Sequence, residues 1–170
     1  TRRSPPWITT RSFYCLDVDL SELKRAQERL RLAATVFEHA HEGIMITDAA
    51  GTIIEVNKTF AEITGYTRAE AMGRNPSFLK SGRHDAAFYA QMWQTIAEHG
   101  YWHGEIWNRR KSGDVYPESV SISAVHDADG AITCYVGLFA DITVLKESQQ
   151  RLEQMAYYDP LTRLPNRALL

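Results

Sequence analysis

Few side chains of this 170-residue chain are arranged in a way that could catalyse a reaction. The sequence has no G-x-S-x-G nucleophile elbow, no paired carboxylates with an adjacent base, no phosphate-binding glycine loop and no metal-ligand spacing. The acids Asp48, Asp127 and Asp129 stand beside glycines in turn sequences, where a structural role is the ordinary one. We therefore do not expect this fragment to be an enzyme.

Charge and cysteine usage exclude further classes of protein. The chain has 19 basic and 21 acidic residues and no basic stripe, so nucleic acid is not an expected partner. Cys15 and Cys134 lack C-x-x-C spacing, which suits a reducing compartment, and both are interpreted as small buried hydrophobes. No apolar run approaches the roughly 18 residues of a membrane span. We expect a soluble, cytoplasmic fragment without direct membrane contact, and leave open a membrane anchor elsewhere in the parent protein.

Apolar residues beside Asp/Gly turns predict a set of β-hairpins. Five antiparallel strands are expected, beginning near Gly43, Thr52, Tyr101, Val115 and Ala131. Short helices fill the gap between the second and third strands. The pattern indicates an α+β fold.

The longest of these helices should begin after Asp85, a good N-cap, and stop at Gly100. One face of it carries four large apolar residues, Phe88, Met92, Trp93 and Ile96. That face must be covered, and the concave side of the sheet is available. A cavity between the helical roof and the sheet is therefore the natural ligand site.

An internal repeat flanks the predicted sheet. Residues 13–30 align without a gap on residues 135–152. In each copy a short apolar strand is expected to end at an aspartate, Asp19 or Asp141, before an amphipathic helix begins. We therefore expect residues 1–20 to be the tail of an upstream module of the same kind.

Both flanking helices carry apolar heptad spacing. The seam positions are Leu23, Ala26, Leu30, Ala33 and Phe37 in the first helix, residues 21–40, and Leu145, Ser148, Leu152 and Met155 in the second, residues 144–157. We expect a homodimer through these helices. The alternative is that each helix lies on its own domain.

Several motifs, in constant order across residues 33–143, resemble those of PAS sensory domains. They include Glu42-Gly-Ile-Met-Ile-Thr-Asp48, Thr64-Gly-Tyr66, Trp102-His-Gly-Glu105 and Asp141-Ile-Thr143. The resemblance implies a five-stranded antiparallel sheet in the order 2-1-5-4-3, roofed by helices over an internal pocket. It also implies a function: sensing a small molecule, redox state or light and passing the result to an attached effector.

The stretch Gly73-Arg-Asn-Pro-Ser-Phe-Leu79 is similar to the segment of light-oxygen-voltage sensors that carries a flavin-reactive cysteine. Pro76 stands at the cysteine position and has no nucleophile, so that covalent photocycle is excluded. The resemblance leaves a non-covalent FMN or FAD open, with Asn75, Trp93 and Asn108 as candidate cofactor contacts. The alternative is that Trp93 is a core aromatic and Asn108 caps a strand.

Two further positions weaken the case for flavin. Glu118 and Phe139 stand where the light sensors use an amide, and Phe139 cannot form a hydrogen bond with a ring edge. We therefore favour a domain without cofactor over a flavin-binding one. Haem is disfavoured, because His84 stands before the roof helix and His99 at its last turn.

Residues 158–170 carry a second resemblance. The segment Asp159-Pro-Leu-Thr162-Arg-Leu-Pro165-Asn166-Arg167 is similar to the opening of GGDEF diguanylate cyclase domains. Arg163 replaces the common glycine, a variant associated with proteins that join GGDEF to a phosphodiesterase domain. The fragment ends before the metal-binding acids of such a domain, so it is not expected to cyclise GTP.

Together the two resemblances imply a regulatory input module that controls a cyclic di-GMP output domain through the second flanking helix. Asp141 and Thr143 could cap that helix, and Trp102 and Glu105 are their expected neighbours. Two alternatives stay open. One is a ligand-free PAS domain that dimerises and spaces its neighbours, and the other is the regulatory part of an active diguanylate cyclase.

Overall fold

The computed structural model describes residues 13–157, and the side chains of residues 21–154. The described residues fall into two compact units, which are divided between residues 38 and 39. The segment predicted to open a GGDEF domain, residues 158–170, lies outside the described residues. Within the described part, no helix is long and apolar enough to cross a membrane. The same residues contain no cluster of three or more His, Cys, Asp or Glu side chains that could hold a metal ion.

Helix α1 (Phe13–His39) is the described element of the first unit. The prediction of a strand that ends at Asp19 is wrong, because that segment is helical. A strand needs a hydrogen-bonded neighbour, and none of the described strands pairs with residues 13–19, whereas a helix satisfies its own backbone groups. Helix α1 also runs through residues 33–39, so the predicted start of the PAS domain at residue 33 falls inside it.

A five-stranded antiparallel sheet forms the framework of the second unit. Its strands are β1 (Gly43–Asp48), β2 (Ile53–Val56), β3 (Tyr101–Arg109), β4 (Val115–His126) and β5 (Ile132–Asp141). They lie in the order β2-β1-β5-β4-β3, as predicted. Strand β5 is central and pairs with both β1 and β4, and its last residues, Ala140 and Asp141, pair with β4.

The predicted Asp/Gly turns have a clear local cause. At the β1–β2 turn, Asp48 Oδ1 accepts hydrogen bonds from the backbone N–H groups of Ala50 and Thr52, and Gly51 takes a φ of 81°. At the β4–β5 turn the Asp127 carboxylate accepts two backbone hydrogen bonds in the same way. These acids are therefore structural, as their sequence context predicted.

Between β2 and β3 lie helices α2 (Lys58–Thr64) and α3 (Arg68–Ala71), a 3-10 helix (Pro76–Leu79) and helix α4 (Ala86–His99). Asp85 caps α4 by accepting a hydrogen bond from the Phe88 N–H at 2.9 Å, and Gly100 ends the helix in the left-handed region. Buried side chains of these helices and of one sheet face make a single core, which includes Phe60, Met92, Ile96, Ile106, Val120 and Phe139. The predicted roof of the sheet is confirmed.

Helix α5 (Thr143–Tyr157) follows β5 after one residue. Its seam residues Leu145 and Leu152 are 63% and 67% exposed, and Leu23 and Leu30 of α1 are 67% and 73% exposed. Cys134, predicted to be buried, is half-exposed on β5. Its neighbour Tyr135 packs on the core, so alternation of side chains along the strand turns Cys134 to the other face.

Candidate ligand-binding site

A cavity of about 180 Å³ lies between the sheet and its roof. Strands β1, β3, β4 and β5 form one side, and the 3-10 helix and α4 form the other. Its walls are mainly apolar and include Met45, Leu79, Met92, Ile106, Val120 and Phe139. A cavity of this kind, apolar with a few polar groups, is the usual form of a small-molecule site.

A buried polar group at the cavity is centred on Glu118, which is only 4% exposed. Asn108 donates a hydrogen bond from Nδ2 to Glu118 Oε1 at 2.6 Å. The Tyr116 hydroxyl donates to Glu118 Oε2 at 2.8 Å. One buried carboxyl group is therefore held by two neutral donors.

Burial raises the pKa of Glu118 to about 7, against the lowering effect of the hydrogen bonds from Tyr116 and Asn108. Burial, together with the nearby Glu118 charge, also raises the pKa of Tyr116. Near neutral pH the Glu118 carboxyl can therefore exist in both forms. The carboxylate only accepts hydrogen bonds, whereas the carboxylic acid can also donate one.

Strand geometry explains why these residues lie on the same side of the sheet as the cavity. Tyr116, Glu118 and Val120 alternate along β4, so all three point to the same side of the sheet. Across the sheet, Asn108 is the register partner of Tyr116, and Phe139 is that of Val120. Phe139 thus presents a hydrocarbon ring where the light sensors have an amide.

The Phe139 ring needs a glycine opposite it. Gly43 is its register partner on β1, and a Cβ placed at Gly43 would collide with the ring. The ring also meets Phe60 edge to face, with 5.9 Å between ring centroids. This packing fixes the hydrocarbon wall at that end of the cavity.

Aromatic and basic side chains lie toward the solvent side of the cavity. Trp93 lines it, is 44% exposed and meets Tyr135 edge to face at 5.3 Å. The Lys80 Nζ lies 3.7 Å from the centroid of the Tyr89 ring, and both residues also line the cavity. Trp93 is therefore a half-exposed lining residue and not the core aromatic that the alternative interpretation assumed.

All three candidate cofactor contacts lie on this cavity, although two of them already have protein partners. Asn75 Nδ2 donates to the Gly51 carbonyl at 3.1 Å, and its Oδ1 accepts from the Ser77 N–H at 3.0 Å. Asn75 thus connects the β1–β2 turn to the 3-10 helix. Asn108 is committed through Nδ2 to Glu118, which leaves its Oδ1 without a hydrogen bond among the described residues.

The two histidines considered for haem do not line the cavity. His84 Nε2 accepts a hydrogen bond from the Trp107 N–H at 3.0 Å, and its ring stacks on Phe88 at 4.0 Å. His99 lies at the end of α4, where Nδ1 is 3.3 Å from the Thr95 carbonyl oxygen. Both rings are therefore occupied in local structure.

The junction between β5 and α5 is organised by Asp141. Its Oδ1 accepts hydrogen bonds from the Thr143 N–H at 2.8 Å and from Thr143 Oγ1 at 2.5 Å. Its Oδ2 accepts a hydrogen bond from the Arg110 guanidinium. Burial alone would raise the pKa of Asp141, but the hydrogen bonds from Thr143 and Arg110 hold it below its ordinary value.

Arg110 joins this junction to the polar group in the cavity. Its guanidinium carbon lies 3.9 Å from the centroid of the Tyr116 ring, and the Tyr116 hydroxyl binds Glu118. Arg110 also donates to the Ile63 carbonyl oxygen at the end of α2. Sequence reasoning missed Arg110 as a member of the site, because its partner Asp141 is 31 residues away.

Of the two β3 residues expected as neighbours of Asp141 and Thr143, Trp102 lies away from the junction and Glu105 contacts α5. Trp102 pairs with Ile122, whereas Asp141 pairs with Glu118, so the register places Trp102 well along the sheet from the junction. Glu105 does reach α5, but through Lys146, with 2.7 Å between Nζ and Oε2. Trp102 is therefore not a neighbour of Asp141, and the side chain that binds Asp141 is Arg110.

Comparisons with known proteins agree with this geometry. The family model described as PAS domain matches residues 41–144. A nitrogen fixation regulatory protein of Klebsiella oxytoca is 33% identical over 126 residues, which are 74% of this chain and 26% of that protein. A blue-light-activated histidine kinase of Rhizobium johnstonii is 31% identical over 157 residues, covering 82% and 46% of the two chains. The chain thus spans about a quarter and less than half of these two relatives.

Solved structures show the same fold. A PAS domain from Colwellia psychrerythraea superposes with a TM-score of 0.64 at 23% identity, over 68% of this chain and 98% of that one. An RNA-binding light-oxygen-voltage receptor superposes with a TM-score of 0.63 at 27% identity, over 90% and 40% of the two chains. With the family model matched over more than half of its residues, this chain belongs to the PAS domain family.

Proposed function

We propose that this chain is a sensory input module in which the state of the cavity sets the geometry at the start of α5. One observation carries the proposal: a continuous set of contacts leads from Glu118 through Tyr116 and Arg110 to Asp141 and Thr143. A ligand or a proton at Glu118 acts on this set. Helix α5 then carries the change to an attached output domain.

The energies involved are sufficient for such a role. A helix cap is worth about 1 kcal/mol. The same free energy applied to a two-state linker changes the ratio of its states about fivefold, which is a usable signal. Loss of the cap would leave the sheet folded, because a domain has about 5 kcal/mol or more of stability.

We further propose that the output domain is of the GGDEF type and metabolises cyclic di-GMP. Support for this comes from the sequence Asp159-Pro-Leu-Thr162-Arg-Leu-Pro165-Asn166-Arg167, which follows α5 directly. The relatives described above are named as a nitrogen fixation regulatory protein and a blue-light-activated histidine kinase, so the proposal of a GGDEF output rests on this sequence and not on them.

The test uses a full-length protein that carries its output domain. Asp141→Ala should change cyclic di-GMP production severalfold while the melting temperature moves by only a few degrees. Glu98→Ala, an exposed change on α4, is the control and should alter neither. Unchanged production in Asp141→Ala, or a sheet that no longer folds, would reduce the Asp141 junction to a structural strand end.

A second candidate is a flavin-bound sensor. It is favoured by the position of Asn108 and Trp93 on the cavity and by relatives described as activated by blue light. Against it, the Asn108 Nδ2 is used by Glu118, and Phe139 offers no polar atom. We therefore propose a cavity free of flavin in the purified domain.

An absorption spectrum of freshly purified protein decides between these candidates. A colourless protein is expected. A yellow preparation with flavin bands would establish the second candidate, and Trp93→Ala or Asn108→Ala should then weaken flavin retention. A haem band would instead require a new search for its ligand, beginning with His84 and His99.

A further inference from the structure

We propose that the cavity takes a small planar ligand whose buried edge carries positive charge and N–H donors, such as an amidinium, a guanidinium or a protonated heteroaromatic amine. Glu118 is the residue that selects it. This inference rests on the proposed function, because the cavity must be the sensing site. It adds the chemical class of ligand that the site recognises.

Glu118 is a buried acid that forms no ion pair within the described residues, although the nearby Arg110 charge lowers its pKa. Its two direct partners, the Asn108 amide and the Tyr116 hydroxyl, are neutral donors, and none of the ion pairs among the described residues includes it. The Arg110 guanidinium binds Asp141 and lies on the Tyr116 ring, while the Lys80 ammonium lies on the Tyr89 ring. A buried carboxylate is stabilised by a cation, and here the ligand is left to supply it.

The hydrogen-bond acceptors of Glu118 and Asn108 that stay free among the described residues favour a ligand that carries hydrogen-bond donors. A carboxylate offers about four acceptor positions, and the protein fills two of those on Glu118. Asn108 Oδ1 adds an acceptor that has no partner among the described residues. Amidinium and guanidinium groups carry parallel N–H donors that match two neighbouring acceptors.

The walls fit the flat body of such a ligand. A cavity of about 180 Å³ exceeds the roughly 150 Å³ that holds a benzene molecule in an engineered protein cavity. Aromatic rings of Trp93, Tyr135 and Phe139 line it together with the flexible side chains of Met45 and Met92. Aromatic faces also favour a cation over a neutral guest.

The surrounding charges make Glu118 the group that gives binding its pH dependence. The titratable groups around Glu118 are Tyr116, Tyr89, Arg110, Asp141 and Lys80. The pKa values of both tyrosines are raised and that of Asp141 is lowered, so none of these three groups titrates near neutral pH. Burial raises the pKa of Glu118 to about 7, so the carboxylate that a cation needs forms across the neutral range.

Four single-ring probes of similar size test the inference on the 170-residue chain. Benzamidine is the cation, benzamide its neutral isostere, benzoate the anion and toluene the apolar probe. Methyl NMR of methionine reports where each one binds, because Met45 and Met92 line the cavity and Met72 does not. We expect benzamidine to shift the Met45 and Met92 signals with at least about tenfold higher affinity than benzamide, and benzoate not to bind.

The pH series and one variant assign the preference to Glu118. Benzamidine affinity should rise about tenfold between about pH 6 and about pH 8 as the carboxylate forms, while toluene affinity stays constant. Glu118→Gln should remove both the preference and the pH dependence. Glu147→Gln, an exposed change on α5, should keep them. If Glu118→Gln does not fold, the pH series on the unaltered chain still decides.

The outcomes separate this inference from the proposed function. Equal binding of benzamide and benzamidine, a pH-independent affinity, or a preference that survives in Glu118→Gln would overturn the ligand class alone. Shifts confined to Met72 would do the same, because the cation would then bind outside the cavity. If no probe, including toluene, shifts Met45 or Met92, the cavity is not a small-molecule site, and the proposed function fails in its ligand-sensing form.

Discussion

At the scale of single residues, Glu118 is held in the core by partners that do not neutralise it. Its hydrogen bonds to Asn108 and Tyr116 fix the position of the carboxyl group but supply no positive charge. Removing one partner would leave a buried polar group unsatisfied, which costs about 1–3 kcal/mol. With both partners in place, Glu118 still carries a buried negative charge when it is ionised, and the free energy that this charge costs depends on pH.

The first prediction follows from the raised pKa of Glu118. Because the folded-state pKa of about 7 exceeds the ordinary 4.5, the folded protein holds this proton more tightly than the unfolded chain does. The contribution of Glu118 to stability is therefore complete below about pH 4.5 and is lost as the pH rises through about 7. The loss is at most roughly 3 kcal/mol. Urea unfolding across this pH range should show it.

Glu118→Gln is the comparison that isolates this effect. Its free energy of unfolding should change much less over the same pH range, whereas Glu147→Gln should follow the unaltered protein. The lowered pKa values of Glu55, Glu70 and Asp141 act in the acid range, below this window. An identical pH profile for Glu118→Gln and the unaltered protein would show that Glu118 is not the titrating group.

How far the sequence predicts the site depends on the range of each contact. The resemblance to light-oxygen-voltage sensors associates Asn108, Glu118 and Phe139 with the pocket, and all three line it. It does not predict that Asn108 binds Glu118, since that contact depends on the β3–β4 register. Nor does it predict Arg110 beside Asp141, because the two strand ends meet only in the folded sheet.

At the scale of elements, the start of α5 is fixed by a side-chain cap and an ion pair. The Asp141 carboxylate accepts a hydrogen bond from the Thr143 N–H. The Lys146 N–H donates to the Ile142 carbonyl oxygen at 2.9 Å, and this bond closes the first turn of the helix. The side chains of Arg110 and Asp141 are 25% and 29% exposed, so water only partly screens the pair. Orientation of the helix therefore depends on where Arg110 holds Asp141.

The second prediction concerns this first turn. Arg110→Gln should increase hydrogen exchange at the Thr143 amide severalfold, because Asp141 loses the partner that positions it and a partly exposed ion pair is worth about 1 kcal/mol. Asp141→Ala should have a larger effect, since the acceptor itself is removed. Amide exchange followed by NMR measures both changes.

Arg109→Gln is a matched control for this measurement. Arg109 is adjacent in the sequence but binds the Gly113 and Ser81 carbonyl groups, away from the junction. Combining Arg110→Gln with Asp141→Ala should add little beyond Asp141→Ala alone, because the two residues act through one contact. Additive effects, or faster exchange in Arg109→Gln, would contradict the assigned role.

Element prediction succeeded where the signals are local. Asp48 and Gly51 make their turn from neighbouring atoms, and Asp85 and Gly100 bound α4 in the same way, so a short window of sequence is enough. The segment that ends at Asp19 failed although it aligns with the end of β5. A strand exists through its neighbours, and β5 pairs with β1 and β4 while residues 13–19 have no such partners among the described strands.

At the scale of the whole molecule, apolar side chains stay exposed in both units. Within α1, Leu23 and Leu30 are exposed, and within α5, Leu145 and Leu152 are exposed. Each pair stands at heptad spacing, which is typical of helices that pack against a partner helix. A second copy of this chain is the partner that we propose for them.

The third prediction tests that assembly. Leu30→Asp combined with Leu152→Asp should shift the sedimentation of a dimer toward monomer, because charges on the seam oppose helix pairing. The sheet should stay folded, since both leucines are about 70% exposed and make little contact within their own units. Sedimentation velocity over a concentration series measures the change, and circular dichroism checks the fold.

A control double variant introduces the same charges outside the seam. Gln27→Asp with Gln150→Asp should sediment as the unaltered chain does, because neither position belongs to the heptad seam. If the seam variant and the control behave alike, the flanking helices are not the contact between copies. A chain that is monomeric at every concentration would remove the dimer from the proposal.

Glu118 and Asp141 lie opposite each other on neighbouring strands, so the residue that we propose to bind the ligand and the residue that caps the start of α5 share one position of the ladder. This arrangement constrains how the protein can evolve. A lineage that replaced Glu118 to adopt a new ligand would disturb transmission in the same step. Cavity positions on other elements, such as Trp93 and Lys80, can vary without that penalty. New ligand specificities should therefore arise first at positions such as Trp93 and Lys80. Glu118 should change only when the output domain changes too.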